Sequence, residues 1–171
     1  MQLPKNDYLI APDPSAPRLT RAVTGTDHTG APVDVSVVEE RPLTIYLNRQ
    51  EIVTAMTIGD HPKYLALGFL RNQGMLSDEA DITGVDYDEE LEVVVVRTAS
   101  ETTYEEKLQK KTRTSGCAVG TVFGDMMEGL DQVTLPASEL RTSWLYALAH
   151  RINTTPSLYL EAGAIHGTVL C

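Results

Sequence analysis

The chemistry available to this sequence converges on Cys117, one of only two cysteines in 171 residues, set in Thr112-Arg113-Thr114-Ser115-Gly116-Cys117-Ala118-Val119-Gly120-Thr121. Thiolate rather than thiol is the nucleophile, and neighbouring cations pull a cysteine pKa down from its free value of about 8.5. Lys107, Lys110, Lys111 and Arg113 stand just before or within this stretch of a chain whose formal charge is -10, so the local field opposes the global one. Gly116 and Gly120 carry no Cβ and let backbone amides approach an anion or a reacting group closely. These residue types fit a nucleophile that works near neutral pH. A buried cysteine used as a small hydrophobe beside a solvated basic strand fits the same spacing, and both readings stay open at this level.

The four histidines sort by surroundings. His28 falls in a turn, His61 at a helix start and His150 near a helix end, where a cation complements the dipole, and each reads as solvated. His166 lies among small residues in Ala164-Ile165-His166-Gly167, where a close-packed backbone would hold an imidazole firmly. It could form a thiolate–imidazolium pair with Cys117. No Cys-x-x-Cys and no histidine–cysteine metal pattern occurs, so no metal is expected to be bound directly by this chain. Gly120-Thr121-Val122-Phe123-Gly124 lacks the lysine and the spacing of a phosphate loop.

These groups need a scaffold, and a hydrophobic content of 42 % is enough to build a core. An excess of 24 acidic over 14 basic residues argues against a broad cationic face, hence against nucleic acid or anionic membrane as partner. The sequence has no apolar run of membrane-spanning length, and its first residues lack a basic region followed by an apolar one. A cytoplasmic protein with free thiols is expected.

Residues 1–18 carry Pro4, Pro12, Pro14 and Pro17 and read as a flexible arm. Alternation over Leu19–Val23 and Val33–Val38 around Thr26-Asp27-His28-Thr29-Gly30 predicts a hairpin. Leu43, Ile45 and Leu47 continue it as a third strand, with a further extended piece at Ile52 and Val53 completing a meander. Asp60 is a candidate cap for a helix with Pro62 in its first turn and Gly74 as its stop. Asp81–Tyr87 and Leu91–Arg97 flank an acidic turn, and the run Val93-Val94-Val95-Val96 predicts a strand buried on both faces. A short helix over Val122–Leu130 is expected next. A second helix should open at Leu135-Pro136 and align Leu140, Trp144, Leu145, Leu148 and Ile152, followed by a brief connection or strand at Ser157–Leu160.

Four stretches then line up with one known family. Glu40–Asn48, Met56-Thr57-Ile58-Gly59-Asp60-His61-Pro62 and Leu65–Gly74 resemble the opening signature of the FdhD family of formate dehydrogenase accessory sulfurtransferases, in order and spacing. Ser115-Gly116-Cys117-Ala118-Val119-Gly120 resembles the family's cysteine loop, and Ala162-Gly163-Ala164-Ile165-His166-Gly167 its Thr-Gly-Gly-x-His-Ala stretch. The resemblance runs from about residue 20 to the end. Gly120 stands where many members have a second cysteine, which rules out a relay between two thiols of that loop. Gln73 replaces a frequent glutamate, and the family's segments beyond the histidine stretch are not found, so either a C-terminally shortened form or a remainder outside this sequence is expected.

The resemblance implies an α/β fold, with residues 19–105 an N-terminal α+β portion and 106–171 the start of a cytidine-deaminase-like α/β/α domain carrying the cysteine loop. It implies a sulfur carrier that takes sulfur from a cysteine desulfurase as a persulfide on Cys117. The sulfur would pass to a molybdenum or tungsten bis(molybdopterin guanine dinucleotide) cofactor serving formate dehydrogenase, and a homodimer is expected. Lys110, Lys111, Arg113, Gly116, Gly120 and His166 are the candidates to hold that cofactor. Zinc deaminase chemistry is rejected, because His166 is followed by Gly167-Thr168 and no Pro-Cys-x-x-Cys exists. Two rival readings are a hydrolase with Cys117 as nucleophile and His166 as base, and a chaperone in which Cys117 is structural.

Overall fold

The computed structural model describes residues 16, 18–76, 82–99, 111–114, 120–123, 134 and 136–165. Almost all of the N-terminal arm and of the polar stretch over Ser100–Lys111, the helix expected across 124–130, and His166 with the residues after it lie outside these. The described elements are β1 Thr20–Thr26, β2 Pro32–Val38, β3 Arg41–Leu47, β4 Gln50–Thr57, α1 Pro62–Asn72, β5 Ile82–Asp88, β6 Val93–Thr98, β7 Lys111–Thr114, β8 Gly120–Phe123, α2 Thr142–Thr154 and α3 Leu158–Ala162. The chain is a mixed α/β protein. It divides into two compact units, one formed by Met1–Glu39 with Glu139–Cys171 and the other by Glu40–Ser138.

The larger unit is built on a four-stranded sheet of order β4-β3-β6-β5. β3 and β4 form the hairpin that their alternation predicts, with Leu43, Ile45 and Leu47 each at most 2 % exposed on the core face. Register slips between Ile45 and Tyr46, so that Ile45 pairs with Val53 and Tyr46 with Glu51. This bulge leaves Ile52 as the extra residue, which explains why consecutive Ile52 and Val53 are both buried where strict alternation would expose one. β3 then pairs parallel with β6 through Thr44↔Val93 to Leu47↔Val96, and β6 pairs antiparallel with β5.

The expected meander of β1 to β4 is therefore corrected: β1–β2 is a separate two-stranded sheet, and the third neighbour of the β3–β4 hairpin is β6. Local alternation cannot encode that long-range parallel pairing, which needs a crossover connection. β6 is interior, but only Val94 and Val96 are fully buried, while Val93 and Val95 remain half-buried. Burial on both faces is corrected to burial on one, because the core cluster containing Val94, Val96, Ala66 and Leu70 gathers on the side that α1 covers.

α1 begins at Pro62 as expected, but its N-cap is His61 rather than Asp60, with φ 46° and no side-chain cap. Proline disfavours right-handed helical geometry in the residue before it, and the chain instead enters through left-handed conformations at Gly59 (φ 74°) and His61. Gly74 (φ 65°) ends the helix, with Met75 N donating to Leu70 O at 2.8 Å.

In the other unit, β1 and β2 pair from Thr20↔Val38 to Thr26↔Pro32. Their turn is organised by Asp27, whose Oδ1 accepts from Thr29 Oγ1 at 2.6 Å, Thr29 N at 2.8 Å and Ala31 N at 3.0 Å. α2 starts at Thr142, not at Leu135-Pro136, and Pro136–Leu140 is not helical. It has no buried residue, and Trp144, Leu145 and Ile152 are about half exposed. Ser157–Leu160 is also corrected: Ser157 caps the short helix α3, and Leu158 is buried at 2 %. α3 packs against β2, and Leu19 is likewise buried in this unit. Among the described residues, no helix is long and apolar enough to cross a membrane.

Candidate functional site

The segment expected as one loop, Thr112–Thr121, is flanked by strand at both ends. β-branched Thr112, Thr114, Thr121 and Val122 favour extended backbone. β7 and β8 pair antiparallel through Lys111↔Phe123, Thr112↔Val122, Arg113↔Thr121 and Thr114↔Gly120. Val122 and Phe123 are strand residues, which corrects the helical start expected there. Residues 115–119, which contain Gly116 and Cys117, connect the two paired ends and lie outside the described residues, as do Lys107, Lys110, His166 and Cys171.

Lys111 and Arg113 are two apart on β7, in register with Phe123 and Thr121, and Gly120 pairs with Thr114 at the end of the ladder. β8 also runs close to β4, the outer strand of the main sheet. Of the sequence-derived candidates, Lys111, Arg113 and Gly120 are thus gathered on one hairpin within the larger unit.

Sequence reasoning gave no hint of a second feature, at the N-terminal end of α1. A recess of about 240 Å³ is lined by His61, Pro62, Lys63, Tyr64 and Tyr87. The His61 ring lies 5.9 Å from that of Tyr64, tilted by 56°, and His61 Nε2 is 3.5 Å from Asp60 Oδ1. Tyr87 donates its hydroxyl to Glu92 Oε2 at 2.5 Å, and Arg41 Nη1 lies 3.7 Å from Glu92 Oε1. Tyr87 reaches this place through the β5–β6 pairing, which no local motif announces. Among the described residues no group of three or more His, Cys, Asp or Glu could hold a metal.

Two groups depart from their ordinary titration. The Thr29 hydroxyl, followed by the amides of Thr29 and Ala31, holds the Asp27 carboxyl below the usual aspartate value. Tyr46 is raised because its hydroxyl donates to Glu51 at 3.1 Å and the carboxylate charge opposes phenolate formation.

Comparison with known proteins defines the class of this mixed α/β chain. The profile of the FdhD/NarQ family matches residues 38–171, and the chain belongs to that family. It is similar to the sulfur carrier protein FdhD of Listeria innocua, at 27% identity over 143 residues that cover 81% of this chain and 55% of the relative. The sulfur carrier protein FdhD of Bacillus subtilis is 27% identical over 142 residues, covering 81% of this chain and 54% of its own length. The chain therefore spans about half the length of the curated relatives it matches. A solved structure from Desulfotalea psychrophila, assigned as a formate dehydrogenase accessory protein, aligns with 46% of this chain and 34% of its own, at 21% identity and a TM-score of 0.41.

Proposed function

We propose that this chain carries sulfur for the maturation of formate dehydrogenase, with Cys117 as the acceptor. Membership of the FdhD/NarQ family and the names of the matched sulfur carrier relatives support the class. The observation that supports the residue-level reading is the β7–β8 pairing, with Lys111 and Arg113 on the strand that leads in sequence to Cys117. Two cations near that cysteine in sequence favour the thiolate and, after loading, the terminal sulfur anion.

In the loading step the Cys117 thiolate attacks the outer sulfur of a persulfide on a cysteine desulfurase. A new S–S bond forms on Cys117, the donor's S–S bond breaks, and the donor cysteine leaves as thiolate. The acceptor is the molybdenum or tungsten bis(molybdopterin guanine dinucleotide) cofactor of formate dehydrogenase, which is this protein's substrate rather than its resident group. Its phosphates match the charge of Lys111 and Arg113, so these two residues serve both steps, with Lys110, Gly116, Gly120 and His166 as the further contacts to test.

Complementation tests this reading. In a strain lacking its own factor, the wild-type chain and Cys171→Ala should restore formate dehydrogenase activity, and Cys117→Ala should not. Full activity with Cys117→Ala or Cys117→Ser would leave the chain as a chaperone with a structural cysteine.

A further inference from the structure

We draw no further inference here: the strongest candidate, the apolar stripe of Trp144, Leu145, Leu148 and Ile152 along α2, lies on a helix that buries none of its residues, and nothing in the structure shows what covers it.

Discussion

Asn48 offers a quantitative check on how the main sheet is closed. It sits in the left-handed region (φ 55°) of the β3–β4 turn, and its amide N donates to Val96 O at 2.7 Å. Its side chain grips the end of β6: Oδ1 accepts from Thr98 N at 2.9 Å, and Nδ2 donates to Thr98 Oγ1 at 3.0 Å. Replacing it with glycine keeps the backbone geometry and removes both side-chain bonds, at about 1 kcal/mol each, so Asn48→Gly should lose about 2 kcal/mol. Alanine removes the same bonds and also bears the left-handed penalty of roughly 1 kcal/mol, so Asn48→Ala should lose about 3 kcal/mol. Urea denaturation followed by far-UV circular dichroism reads both. With a slope of about 2 kcal/mol/M, the midpoints should fall by about 1 M and 1.5 M. An alanine variant as stable as the glycine variant would refute the left-handed reading, and two unchanged midpoints would refute the claim that Asn48 clamps β6.

Leu70, fully buried between α1 and the sheet, should cost about 3 kcal/mol when changed to alanine, whereas Leu91→Ala, at 71% exposure, should change the urea midpoint little. The Asp27 carboxyl should titrate below 3.8 when followed by the NMR shift of the Thr29 amide; its contribution to the turn is present above the unfolded pKa and is lost as pH falls through the depressed folded value. A midpoint at or above 3.8 would contradict the triple acceptor. Cys117 should alkylate with a midpoint below the free-thiol value of about 8.5, and the double variant Lys111→Ala/Arg113→Ala should raise that midpoint. A midpoint unmoved by the double variant would remove those cations from the account.

The sequence patterns that located elements were those in which each residue's environment is set by its near neighbours. Val33-Asp34-Val35 and Leu43-Thr44-Ile45 alternate with period two, and Pro62 and Gly74 bracket α1, so these elements are readable. Pairing of β3 with β6 was not, because a crossover is decided by which buried faces meet and not by either strand alone. Ser157–Leu160 is too short for periodicity to separate helix from strand, and the Ser157 cap decides it. The helical reading of Val122 failed because its ladder partner is Thr112, at a distance that a local window does not cover. For the candidate site, composition found the basic residues before Cys117, whereas the pairing of β7 with β8 that brackets it is visible only in the structure.

Sulfur loading on Cys117 is tested most directly by one measurement. The purified chain is incubated with a cysteine desulfurase, its pyridoxal cofactor and cysteine, then analysed by intact-protein and peptide mass spectrometry. Wild-type protein and Cys171→Ala should gain the mass of one sulfur atom, located on the peptide containing Cys117 and released by cyanide, and Cys117→Ala should gain none. Loading of the Cys117→Ala protein at the wild-type level, or added sulfur located only on Cys171, would contradict the account.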